Sequence, residues 1–236
     1  MTKRKDTIVI LPAYNEGKNI RNVIKDIRDN TSEVDILVVN DGSTDDTSSA
    51  AKETGVQVID LPVNLGIGGA VQTGFQYALG NNYNYAMQFD GDGQHKGCEI
   101  QKLLDRIKKG DADVVIGSRF LKGGASAFRS TFLRRIGIFF FSKLISVITG
   151  QRLTDSTSGF RVANRKAIER LAKYYPEDYP EPEAIVLLKR WGFSIAEIPT
   201  VMQERVGSSS SITTIKSVYY IVKVTLAILV DLLRKF

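Results

Sequence analysis

At 236 residues, with 43% hydrophobic and 25% charged side chains, the chain has a globular composition and enough apolar material for one large α/β domain, or a domain plus an appendage. Its one cysteine, Cys98, excludes an internal disulfide framework and suits a reducing compartment. A formal net charge of +6 favours anionic partners such as nucleotides, nucleic acid or acidic lipid headgroups, and the start MTKRKDTIVILPAYNEG is no signal peptide, because Asp6 breaks in before a short apolar run.

In chain order, TIVILP (7–12) reads as a fully buried strand stopped by proline, and 17–29 carries Ile20, Val23, Ile24 and Ile27 at helical spacing. VDILVVN (34–40) is a second buried strand running into Asp41-Gly42. Residues 43–55 open with Ser, Thr and Asp capping residues and close on Gly55, predicting a helix. A third strand follows at 56–61, a helix at 66–79 after a glycine-rich entry, and a fourth strand at 85–89 running into Asp90. An amphipathic helix spans 99–110 and a fifth strand 112–119. Beyond 120 the pattern changes. Residues 132–150 are strongly apolar with Arg134, Arg135 and Lys143 interspersed, and 153–162 is turn-rich and leads into a short strand. Residues 181–192 read as a helix, 193–202 as a strand broken by proline, and 217–236 as a long apolar helix.

Strands alternating with helices predict βαβ units and a mostly parallel sheet, whose ligands bind at the carboxyl ends of the strands. Polar residues fall at those ends: Asn15 and Glu16, Asp41, Asn64, Asp90 and Asp92, and Arg119. In QFDGDGQH (88–95), two carboxylates sit one residue apart after a buried strand. Either they lie in water or they hold a hard cation such as Mg²⁺ or Mn²⁺, with Gln94 able to add an amide oxygen and Gly91 and Gly93 letting a diphosphate approach. An EF-hand loop is excluded, since its sixth and twelfth positions would be His95 and Gln101. NLGIGGAVQTG (64–74) does not fit G-x-G-x-x-G, because the last position is Val71, and no Walker motif occurs; its glycines are expected to allow close packing on the sheet. Taken singly, LPAYNEG and VNDGSTDDT are also explained as helix entries and caps.

As an ordered set, PAYNE, NDGSTDDT, NLGxGGA, DGDGQH, GSRF, DSTSGFR and RxGxSS are specific. The chain resembles the family 2 glycosyltransferases of GT-A fold over about residues 7–212, and within them the polyprenyl-phosphate sugar synthases. That resemblance implies a GT-A domain at 1–212, and the apolar stretch beyond it is expected to form a C-terminal amphipathic helix at 213–236. It implies that Pro12, Ala13, Tyr14, Glu16 and Asp41 hold the nucleoside of a UDP- or GDP-sugar, joined by Gly69, Asp90 and Gly91. It further implies Asp90, Asp92 and Gln94 on Mg²⁺ or Mn²⁺, and a catalytic set of Asp92, Asp155, Arg119 and Arg205. The acceptor phosphate is assigned to Arg119, Arg134 and Ser208.

A lipid monophosphate, with a second pKa of about 6, is already an anion and needs no general base. A sugar hydroxyl would need one, for which Asp155 and Glu183 are the candidates. Many hydroxyl-glycosylating relatives carry a Glu-Asp pair where this chain has EPEAI (181–185), a departure that favours the lipid phosphate. The alternatives are transfer to a glycan hydroxyl and, more remotely, a non-catalytic nucleotide-binding module. Nucleic acid is not expected, since aromatic and basic residues do not interleave as a stacking platform. Residues 132–149 and 217–236 are too charged to span a bilayer well. They suit interfacial helices at the cytoplasmic face of a membrane, with packing on protein or on a second copy as the alternative for 217–236.

Overall fold

The computed structural model describes residues 5–126, 132–177, 180–203 and 214–233, with side chains described except at 125–136, 138 and 214–221. Nine strands and eight α-helices are present among them: β1 (Thr7–Ala13), α1 (Gly17–Asn30), β2 (Val34–Asn40), α2 (Thr47–Lys52), β3 (Gln57–Asp60), α3 (Gly66–Gly80), β4 (Tyr85–Gln88), α4 (Ile100–Ile107), β5 (Val114–Ser118), β6 (Ala125–Ser126), α5 (Phe132–Thr149), β7 (Arg161–Asn164), α6 (Arg165–Leu171), α7 (Pro180–Arg190), β8 (Ile195–Pro199), β9 (Val201–Met202) and α8 (Thr214–Leu233).

Seven strands form one sheet in the order β3-β2-β1-β4-β7-β5-β8, and β6 pairs with β9 apart from it. Every pairing in the large sheet is parallel except those of β7, which runs antiparallel to both β4 and β5. The strands are apolar on both faces because both faces are covered. Ile8 and Ile10 of β1 point into a core shared with α3, α5, α6, α7 and α8, whereas Val9 and Leu11 point into a second core with α1, α2 and α4. Since β7 is reversed, its first residue, Arg161, stands beside Gln88 of β4 and Ile116 of β5, on the same rim as the carboxyl ends of its neighbours.

Helix α2 is shorter than the 43–55 expected from its caps, because the polar residues before it bind the loop after β1. Ser43 Oγ accepts from Asn15 N (3.0 Å), Asp45 Oδ2 from Gly17 N (3.1 Å) and Thr47 Oγ1 from Glu16 N (2.9 Å), while Thr44 N donates to Asn15 Oδ1 (2.9 Å). The helix expected at 99–110 is a 3-10 turn followed by α4, and α6 was not foreseen.

The α3 glycines divide their tasks. Gly74 packs on the sheet, where a Cβ would come within 2.3 Å of Ile10 Cγ2. A Cβ on Gly68 would instead lie 2.1 Å from the Pro176 carbonyl oxygen and 2.3 Å from that of Glu177. Both obstacles at Gly68 are backbone, so Gly68→Ala forces the 176–177 segment outward. It is expected to cost about 1–3 kcal/mol, read as a lower urea midpoint. An unchanged midpoint would show that this segment yields freely.

Helix α8 buries Val224 and Ile228 in the first core, against α5 and α7. Its other side, with that of α5, leaves Phe139, Val147, Leu226 and Leu233 exposed, Leu233 to 85%. Among the described residues, no helix is long and apolar enough to cross a membrane.

Candidate active site

The carboxyl ends of β1, β2 and β4 open into a cleft of about 410 Å³. One wall is Pro12, Ala13, Tyr14 and Glu16 of the loop after β1, with Asp41 after β2. Asn64, Gly66, Ile67 and Ala70 come from the entry to α3. Asp90, Gly91 and Asp92 follow β4, and Glu181 reaches in from the start of α7. Nine of the residues singled out from sequence, Asn64 among them, thus share one surface. Gly69 is not on the cleft wall and faces back into its own helix, its would-be Cβ 2.5 Å from that of Leu65. Gln94, Arg119 and Asp155 are also off the wall. The side chains of Arg134, Arg205 and Ser208 lie outside the described residues.

Local contacts explain how each group is held. Asp41 is nearly inaccessible, and its Oδ1 accepts from Leu65 N (2.7 Å), tying the end of β2 to the entry of α3. A Cβ on Gly91 would sit 3.1 Å from the Pro12 carbonyl oxygen, so a side chain fits there only if the β1 loop gives way by a few tenths of an ångström. Asp92 Oδ1 accepts from Gln94 N (3.0 Å). Asp90 stands with one oxygen 3.1 Å from His95 Nε2, and a Cβ on Gly159 would strike its carboxylate at 2.7 Å. Burial alone would raise the Asp90 carboxyl. The hydrogen bond and charge of His95, with Gln88 and the Arg161 guanidinium, outweigh it and hold Asp90 below the usual range.

Behind the cleft lies a buried charged layer. Arg161 is 2% exposed, and its Nη2 donates to the Ser158 carbonyl (2.6 Å). Arg119 forks onto Asp155, with Nε to Oδ2 and Nη2 to Oδ1 both at 2.7 Å, and its backbone N reaches Oδ2 at 3.0 Å. Asp155 is 0% exposed, so its carboxylate is committed to Arg119 rather than presented to the cleft. Glu197 fixes the preceding turn by accepting from Thr154 N and Asp155 N, both at 2.8 Å.

Four residues of the cleft and of the layer behind it were not found as site residues from sequence: His95, Gly159, Arg161 and Glu181. His95 was visible in the quoted motif, and Arg161 and Gly159 in DSTSGFR. Nothing in the chain order places Glu181 near Asp90. Burial pushes the Glu181 carboxyl above the ordinary glutamate range; Arg161 opposes that shift and Asp90 adds to it. The folded state therefore keeps the Glu181 proton after the unfolded chain has lost it, and stability falls as pH rises above about 4.3 toward the raised value. Glu181→Gln removes this dependence. Its melting temperature relative to the native chain is expected to climb between pH 4 and pH 8, in a metal-free pH series; a flat difference would place the carboxyl in open water.

Two carboxylates with glycine between them, on a rim that also carries Asp41 and the β1 loop, form a donor set for a hard cation and a phosphate-bearing ligand. Among the described residues, no three His, Cys, Asp or Glu side chains converge as a complete metal cage. Such an ion would keep positions for water or phosphate, as Mg²⁺ and Mn²⁺ do.

The sequence profile described as "Glycosyl transferase family 2" matches residues 8–172. The chain belongs to glycosyl transferase family 2. It is a glycosyltransferase, and its curated relatives include the "Polyprenol monophosphomannose synthase" of Mycolicibacterium smegmatis, 32% identical over 84% of this chain and 78% of that one. The "UDP-N-acetylglucosamine--dolichyl-phosphate N-acetylglucosaminyltransferase" of Methanococcus voltae is 30% identical over 81% and 83%. Among solved structures, glucosyl-3-phosphoglycerate synthase of Mycobacterium tuberculosis, in complex with Mn²⁺, UDP-glucose and phosphoglyceric acid, superposes with a TM-score of 0.71 at 20% identity. It covers 96% of this chain and 80% of that one. The family match and the likeness to the solved structure bear out the GT-A fold expected from the motifs.

Proposed function

We propose that this family 2 transferase moves a sugar from a nucleoside diphosphate, UDP or GDP, to a polyprenyl phosphate. The observation that carries the reading is the single cleft joining Asp41 and the β1 loop, suited to a nucleoside, to Asp90 and Asp92, suited to a cation on its diphosphate. The names of the two relatives point to a polyprenyl acceptor, and the neighbour's Mn²⁺ and UDP-glucose support the donor and the ion.

In this reading an oxygen of the acceptor phosphate attacks the anomeric carbon as the bond to the β-phosphate oxygen breaks. The electron pair leaves with the nucleoside diphosphate and the configuration inverts. Asp90 and Asp92 would hold Mg²⁺ or Mn²⁺, which neutralises charge on the departing diphosphate. Gly91 lets the phosphates approach the backbone. Arg119, held by Asp155, would receive the acceptor phosphate, and the parts that the resemblance gives to Arg134, Ser208 and Arg205 are carried into this reading unchanged. Residues 1–212 form the catalytic domain and 213–236 its C-terminal helix. The exposed apolar sides of α5 and α8 rest on a cytoplasmic membrane surface, where the lipid acceptor resides.

One observation favours a second reading. Glu181 is a cleft carboxyl with a raised pKa, a property that suits a general base for a hydroxyl acceptor. A panel of UDP- and GDP-sugars, assayed with short polyprenyl phosphates or with free sugars, with and without Mn²⁺, separates the two. Product on polyprenyl phosphate alone supports the first reading, product on hydroxyls alone supports the second, and no product with any donor removes both. Co-flotation with anionic vesicles tests the membrane surface, and a stable dimer that stays off vesicles would assign those helix faces to a second copy.

A further inference from the structure

Between Asp90 and His95 the chain makes a turn with glycines on both sides of Asp92. Gly93 sits at φ +77°, a conformation that favours glycine, and Gly91 and Gly93 together leave the turn many alternatives. Within the turn, the bond from Gln94 N to Asp92 Oδ1 is local and moves with it. The end of β9 ties the turn to the rest of the fold. Gln203 Nε2 donates to the Gly93 carbonyl (2.8 Å), Gln203 N donates to the Gln94 carbonyl (2.9 Å), and His95 bridges antiparallel to Met202. Strand β9 is itself anchored, pairing with β6 and receiving at its approach the bond from Thr200 N to Ser118 O (2.9 Å).

We infer that Gln203 is a positioning residue for the cation: its side-chain amide locks the Gly93 carbonyl, and with it the direction in which Asp92 presents its carboxylate. The inference rests on the proposed metal-dependent reading. Without the amide, the two-glycine turn populates other arrangements, and apparent affinity for the ion falls by the fraction of chains still in the holding conformation. The backbone bond of Gln203 persists whatever its side chain, so the amide can be tested separately from the strand pairing.

The test is Gln203→Met, close in size but without the N–H, with Gln203→Ala as the second variant should the first fail to fold. Mn²⁺ binding is followed by the loss of its free electron-paramagnetic-resonance signal, in the presence of UDP or GDP. Affinity is expected to weaken about fivefold, the scale of one lost hydrogen bond. Metal-free binding of the same nucleotide should stay at its native value and the melting temperature should fall by no more than a few degrees, which a general loosening of the fold would not allow. Unchanged Mn²⁺ affinity, or equal losses of ion and metal-free nucleotide, overturns the role of Gln203. A native protein that takes up no Mn²⁺ with either nucleotide overturns both this inference and the metal-dependent reading beneath it.

Discussion

Asp92→Ala is expected to lower kcat/KM by about 10³-fold while leaving the melting temperature close to native. Asp92 is partly exposed on the cleft wall, and its bond from Gln94 N closes a local turn. Because its side chain is not enclosed, its removal is expected to cost little stability. In the proposed reading, what is lost is one of two carboxylates that would hold an ion on the leaving diphosphate, and such an ion contributes most when negative charge develops in the transition state. The loss should fall mainly on kcat, and added Mn²⁺ should restore only part of it. Asp90→Ala should be as inactive but also less stable, because Asp90 is the hydrogen-bond partner of buried His95 and faces Arg161. Full turnover in Asp92→Ala, with an unchanged response to chelator, would remove the metal from the mechanism.

The difference between these two aspartates marks how far the chain could be read before its fold was known. Buried strands announce themselves as continuous apolar runs, and the polar residue after each run falls on the carboxyl rim wherever the strands are parallel. Asp41, Asp90, Asp92 and the β1 loop were legible in that way. The layer beneath them was not. Arg161 belongs to a four-residue strand whose direction no periodicity reveals, and its reversal is what delivers a guanidinium to the rim. Glu181 arrives on a helix start, where an acidic residue is equally well explained by the helix dipole. Gln203 is an unremarkable polar residue at a strand end until its amide is seen against Gly93. Residues 43–45 read as caps because capping and bridging to a neighbouring loop use the same side chains.

Asp155→Ala is expected to destabilise the fold by about 3–5 kcal/mol, the scale for breaking a buried ion pair on one side. Asp155 is enclosed, and Arg119 is only 11% exposed through its side chain, so the guanidinium would be left without its carboxylate in a poorly hydrated place. The same geometry separates two roles that the sequence motifs merge. If Asp155 acts by orienting Arg119 toward the acceptor, replacing both by apolar residues, Arg119→Met with Asp155→Leu, should recover much of the stability, because no uncompensated charge remains. It should not recover transfer to a phosphate acceptor, because the cation is gone. Urea denaturation of the two single variants and the double gives the coupling, and acceptor KM read beside kcat gives the role. A double variant that is stable and fully active would show that this pair holds the turn at 154–155 and has no part in receiving the acceptor. A single Asp155→Ala as stable as the native chain would mean that Arg119 finds another partner, with Thr157, which already accepts from its Nη2 at 2.9 Å, the nearest described oxygen to take up that charge.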